Sequence, residues 1–209
     1  MNDFLDLSSA NAIEVAKFLL KYIPIAIPNS STKRSLAPEG YPADGAIEQT
    51  IRGYQHQTAS PYEAAVKALE SGCGNCQEMA YLGALILRAA GYKGEVAIGQ
   101  YGINHQFLLV EDLIVDPWAE FCCLKSMWRQ NITAYGGSVR QNIMHGRLLS
   151  PEHYEMEDEE PEVIEVIPSS YKPALSIDRI RDLLLRKEFE PLDTPTLSES
   201  PYPIKQGLK

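Results

Sequence analysis

Residues 76–90, CQEMAYLGALILRAA, limit the possible fold more than any other part of the chain. Gly72 and Gly74 precede the run and Gly91 follows it. Ala, Leu and Met favour helix, and a glycine just past the last turn accepts left-handed backbone, so the run predicts a helix from about Cys76 to Gly91. Its polar residues are too few to form a wet face, so it must be covered on most sides. The cover follows directly in sequence. EVAIGQY, HQFLLV and LIVD are short runs rich in β-branched and aromatic residues with turn formers between them, the pattern of antiparallel strands. Ser60-Pro61-Tyr62-Glu63 supplies an N-cap, an N1 proline and an N3 glutamate for a preceding helix over 61–70. The order helix, helix, strand, strand, strand predicts an α+β fold.

The flanks are less regular. Asn11 stands three residues before Glu14 at the head of NAIEVAKFLLKYI, which predicts a capping box and an amphipathic helix over 11–23 that Pro24 and Pro28 close. The next segment, PNSSTKRSLAPEGYPADG, lacks a sustained period and reads as a long loop. After Trp118, FCCLKSMWRQNITAYGGSVRQNIMHG reads as a helix followed by a glycine turn. Residues 152–165 hold eight acids and no Lys or Arg, which predicts a solvated stretch that does not pack. Ser176 then precedes IDRIRDLLLRKEF, where Ile177, Ile180, Leu183 and Leu184 share one helical face. That stripe needs a groove, either on this chain or on a partner protein.

A length of 209 residues suits one domain of roughly 150 residues with an appended segment. The division expected is 1–150 for the folded domain and 151–209 for an acidic, partly disordered tail with a short helix. The net charge of −9 is concentrated there, since residues 151–209 carry 14 acids against 7 bases. Nucleic acid is not an expected partner, because phosphate binding needs clustered Lys and Arg. With no span of about 18 apolar residues and no basic start before an apolar run, neither a membrane partner nor a secretory route is expected, and the protein is placed in the cytoplasm, with delivery into another cell by an unreadable signal left open. The adjacent pair Cys122-Cys123, beside Cys73 and Cys76, is not a spaced disulfide framework, so reduced thiols are expected.

A cysteine attacks as its thiolate, which a helix N-terminus or a neighbouring imidazolium favours. Cys76 stands at the predicted start of the apolar helix, whose first amides and dipole point toward it and could also hold an oxyanion. His105 begins HQFLLV and Asp116 ends LIVD. If the hairpin between them turns on the two residues Glu111-Asp112, Val110 faces Leu113, Leu109 faces Ile114 and Phe107 faces Asp116. His105 shares the face of Phe107, so Asp116 becomes its diagonal neighbour at roughly 7–8 Å between Cα atoms, within reach of both side chains. A three-residue loop would send Asp116 to the other face. In this geometry Asp116 orients His105, His105 takes the proton of Cys76, and the chemistry is acyl transfer through a thioester.

The string Gly74-Asn75-Cys76-Gln77-Glu78-Met79-Ala80 at a helix start, Asn104-His105-Gln106-Phe107 on one strand and Val115-Asp116-Pro117-Trp118 on the next resembles the transglutaminase-like branch of the papain-like cysteine enzymes. The likeness covers roughly residues 60–120. It implies N-terminal helices, a catalytic helix packed on an antiparallel sheet, a Cys-His-Asp triad and no cofactor or metal for the chemistry itself. Members include transglutaminases, peptidases, deamidases and several bacterial virulence enzymes, so a protein or peptide substrate is implied. Two features depart from the pattern: the intervals within the triad are short, and Gln106 stands where an aromatic often follows the histidine, with Phe107 one place later.

Other readings compete at single residues. Cys73-Gly74-Asn75-Cys76 has the C-x-x-C spacing of a dithiol redox pair, although a redox motif of that kind normally follows a strand and here a capped helix precedes it. Zinc held by Cys73, Cys76, Cys122 and Cys123 is weaker, because adjacent cysteines rarely both reach one tetrahedral ion. A catalytically inactive binding domain of the same fold is a third alternative. His56, His145 and His153 are alternative bases without an acid-bearing strand beside them. Gln57 and Asn75 are candidate oxyanion donors next to the Cys76 amide, and Cys122, Cys123 and Trp128 read as core.

Overall fold

The computed structural model describes residues 6–31, 44–101, 105–128 and 161–189. Its elements run α1 (Ala12–Ala26), α2 (Asp44–Gln55), α3 (Pro61–Ser71), α4 (Cys76–Ala89), β1 (Val96–Tyr101), β2 (His105–Val110), β3 (Leu113–Asp116), β4 (Phe121–Leu124), β5 (Glu162–Val166) and α5 (Ile177–Phe189). The five strands form one antiparallel sheet in the order β4-β3-β2-β1-β5. With helices gathered around it, this is the α+β architecture expected of a transglutaminase-like chain.

Helix α4 is the centre of the molecule. All of its residues from Glu78 to Arg88 are buried, as its composition demands. It lies along β2 so closely that a Cβ on Gly83 would stand 2.4 Å from Leu108 Cδ1, and the buried Leu108 side chain would have to shift to admit it. Beyond its C-cap Ala90, Gly91 takes the left-handed conformation at φ 81° that ends the run. The α3 start is as read: Ser60 accepts from the Glu63 amide, Pro61 opens the helix, and Gly72 closes it at φ 72°.

Alternation sorts the sheet into two faces. Ile98, Leu108, Val110 and Val115 join the main core with α1, α3 and α4. Phe107, Leu109, Ile114, Cys123 and Trp128 form a smaller cluster on the other parity. Gly99 on β1 leaves the space that the ring of Phe107 occupies, since a Cβ there would meet it at 2.5 Å.

Several expectations are corrected. Pro24 lies inside α1, which continues to Ala26 with Ile27 as C-cap. A proline there costs about 3 kcal/mol. Burying Ile23, Ala26 and Ile27 recovers a similar sum, at about 1.5–3 kcal/mol for each isoleucine. The long loop ends earlier than read, because α2 begins at Asp44; its stripe Ile47, Ile51, Tyr54 has helical spacing and was the missed signal. Residues 32–43 lie outside the described residues. The segment after Trp118 begins as strand β4, paired with β3, and not as a helix; residues 129–150, with the expected glycine turn, are outside the described residues.

The largest correction concerns the acidic stretch. Residues 162–165, expected to stay unpacked, belong to β5 on the edge beside β1, with a register shift between Ile98 and Gly99. Val163, Ile164 and Val166 are exposed, so the strand is held instead by its ladder and by two anchors. Glu165 accepts from Tyr62 Oη at 2.6 Å and Tyr81 Oη at 2.8 Å. Ile167, buried, donates its amide to Val96 O at 2.9 Å. Helix α5 follows where it was expected, with Ser176 Oγ accepting the Arg179 amide at 3.2 Å. Ile180, Leu183 and Leu184 are buried in this chain's own main core, and α5 rests on α1 and α4. No described helix is long and apolar enough to cross a membrane.

Candidate active site

Cys76 is the first residue of α4. The loop that delivers it is tied to residues far upstream in sequence: Asn29 donates to Gly72 O at 3.1 Å and accepts from the Gly74 amide at 2.9 Å. Tyr54 Oη donates to Cys73 O at 2.9 Å. Gly74 is closely surrounded: a Cβ there would meet side-chain atoms of Ala68, Glu78 and Ile27 at 3.1 Å, so each neighbour would have to give by a few tenths of an ångström. Asn75 is the N-cap, and Glu78, fully buried, reaches back to accept its amide at 2.9 Å. The second oxygen of Glu78 accepts from Gln55 Nε2 at 2.6 Å. The charge of Glu78 at the first turn also matches the helix dipole.

The hairpin between β2 and β3 turns on Glu111-Asp112, with Glu111 at φ 53°. Its pairs are Val110↔Leu113, Leu109↔Ile114 and Leu108↔Val115, the register that an even loop requires. His105 and Asp116 stand just beyond the last pair on the same parity, and His105 Nε2 lies 2.6 Å from Asp116 Oδ2. Asp116 Oδ1 accepts the Ala119 amide at 3.0 Å, so one carboxylate ends the strand and orients the imidazole. Both side chains are almost wholly inaccessible to solvent, at 3%.

His105 also hydrogen-bonds Cys76. With Nε2 committed to Asp116, Nδ1 is the nitrogen left for that sulfur. Burial works against a charged imidazole here, but the Asp116 carboxylate and the Cys76 sulfur outweigh it and hold His105 above the usual histidine range. The other side of the ring meets Trp118, at 5.3 Å between centroids and 60° between planes. The structure thus brings Cys76, His105 and Asp116 into one contiguous set.

The remaining candidates are placed elsewhere. His56 and Gln57 are exposed in the turn after α2, and His145 and His153 lie outside the described residues. The Asn75 carboxamide is occupied: its Oδ1 accepts from Ser30 Oγ at 2.9 Å and its Nδ2 donates to Ser31 Oγ at 3.1 Å. Cys122 and Cys123 are held protonated by burial, the Cys123 thiol being pushed up to about 12 with Cys122 adding to the effect. Among the described residues no group of three His, Cys, Asp or Glu is arranged to hold a metal ion, so the four-cysteine zinc reading gains no support from them. All four cysteines are unbridged. Ser30, Gln55 and the buried Glu78 were not singled out by sequence. Only the N3 position of Glu78 gave a local signal, because the others reach the site across long stretches of chain.

No curated protein gives a significant match to the sequence. The model of the transglutaminase-like superfamily matches residues 30–130, a span that contains Cys76, His105, Asp116, α2 to α4 and β1 to β4. Over those residues, just under half of its length, the chain is similar to the transglutaminase-like superfamily.

Proposed function

We propose that the protein is a cysteine enzyme that transfers an acyl group from an amide of a protein or peptide, through a thioester on Cys76. The observation that carries this reading is the buried imidazole of His105 between Asp116, at 2.6 Å, and the sulfur of Cys76 at the head of α4. Cys76 gives its proton to His105, and the sulfur attacks the amide carbonyl. The first amides of α4 face the developing oxyanion. On collapse the C–N bond breaks, and His105 returns the proton to the departing nitrogen. Asp116 holds the ring in the tautomer and plane that both transfers need. Water or an amine then attacks the thioester carbonyl, with His105 again as base, and frees Cys76.

Peptidase, deamidase and transglutaminase are the same two half-reactions with different donors and acceptors. Mass spectrometry of lysate proteins incubated with the full-length chain separates them. A gain of about one dalton at glutamine marks deamidation, crosslinks mark transamidation and new termini mark cleavage. Products that persist undiminished with Cys76→Ala, or their absence under all conditions, would remove the proposal.

A further inference from the structure

We infer that Ser30 is a positioning residue that ties the ring of His105 to the helix start carrying Cys76, an inference that rests on the catalytic reading above. Trp118 packs against His105. Its indole Nε1–H donates to Ser30 Oγ at 3.0 Å, and that hydroxyl donates onward to Asn75 Oδ1 at 2.9 Å. Asn75 is bonded in sequence to Cys76, which itself meets His105. The donors all run one way, from indole to hydroxyl to carboxamide, so the orientation of each group is determined by the next.

The partners come from separate regions: Ser30 stands 88 residues before Trp118 and 45 before Asn75. Ser30 is buried, at 2% exposed, and its neighbour Asn29 is hydrogen-bonded to the backbone on both sides of Cys73. The hydroxyl is therefore held by the same loop that presents the nucleophile. A sulfur and an imidazole must meet within a few tenths of an ångström to exchange a proton, and they sit on different elements, α4 and β2. Asp116 constrains the ring from its Nε2 end alone. Trp118 constrains it from the side, and Ser30 sets where Trp118 stands relative to Asn75. The small side chain matters as much as the hydroxyl, since the indole and the carboxamide must both reach one atom.

The test is the pH dependence of Cys76 alkylation by iodoacetamide in the full-length chain, for wild type, Ser30→Ala, Trp118→Phe, the double variant and His105→Ala. Trp118→Phe keeps an aromatic ring beside His105 and removes the N–H together with the indole's second ring, so it tests the link even if Ser30→Ala fails to fold. Each single variant, with a cooperative melt retained, is expected to shift the midpoint of the profile and slow alkylation roughly three- to thirty-fold, and the double variant is expected to be no slower than either single one. A His105-dependent profile that both substitutions leave unchanged, or effects that simply multiply in the double variant, overturns the positioning role alone. A wild-type profile identical to that of His105→Ala overturns the catalytic reading, and the role of Ser30 falls with it.

Discussion

His105 Nε2 and Asp116 Oδ2 lie 2.6 Å apart just past the end of a ladder whose last pair is Leu108↔Val115. The contact depends on the two-residue turn at Glu111-Asp112, because side chains alternate across a strand and a shift of one residue would part the two groups. Replacing Asp116 by Asn keeps the shape and removes the charge. It is expected to lower turnover by roughly two to four orders of magnitude, with little change in the far-ultraviolet circular dichroism.

The same variant carries a pH signature. Asp116 helps raise the folded-state pKa of His105 above its unfolded value of 6.5. A raised value means that folding favours the protonated ring, so the stability it contributes is fully present below about pH 6.5 and is lost as pH rises through the folded value. Thermal melts should therefore show wild type gaining most over Asp116→Asn between about pH 5 and 6.5 and converging with it in alkali. An advantage that grows with pH would contradict this assignment.

Thiol labelling should discriminate among the four cysteines. Cys76 shares a hydrogen bond with His105, whereas burial keeps Cys122 and Cys123 protonated. Peptide mapping after brief treatment with iodoacetamide should find Cys76 modified first, and His105→Ala should slow it by about tenfold or more. Cys73→Ser provides the contrast with dithiol chemistry: it should leave acyl transfer nearly intact, while a redox exchanger would lose its resolving thiol.

Glu78 is a buried carboxylate whose two oxygens take the Asn75 amide and the Gln55 carboxamide. Glu78→Ala leaves both donors without that acceptor and should cost about 1–3 kcal/mol, read as a lower urea midpoint. Because Asn75 precedes Cys76, alkylation of Cys76 should slow as well. A variant with unchanged stability would show that water replaces the carboxylate there.

Ending the chain after residue 150 removes β5 and α5, and with them Glu165 from Tyr62 and Tyr81 and four buried apolar side chains, Ile167, Ile180, Leu183 and Leu184, from the core. The product is expected to be insoluble or to lose its near-ultraviolet signal. In the full chain, Ile180→Ala should cost about 2–5 kcal/mol, as for other large core residues cut to alanine. A truncated protein that melts cooperatively and keeps its Cys76 reactivity would make residues 151–209 an appendage after all.

Much of this molecule is written in short-range sequence. The capping residues Asn11 and Ser60, the closing Gly72 and Gly91, the apolar run of α4 and the even loop at Glu111-Asp112 each act within a few residues, and from them alone follow the helix starts, the hairpin register and the facing of His105 and Asp116. What sequence could not decide depends on surfaces brought together from far apart. Pro24 is carried inside α1 because Ile23 and Ile27 have a core to enter, and an acidic, exposed segment becomes β5 because β1 offers an unpaired edge and Tyr62 and Tyr81 offer hydroxyls to Glu165. Ser30 reads locally as one more polar loop residue; only the tertiary structure sets it between Trp118 and Asn75, since a hydrogen bond spanning 88 residues leaves no periodicity in the chain that makes it.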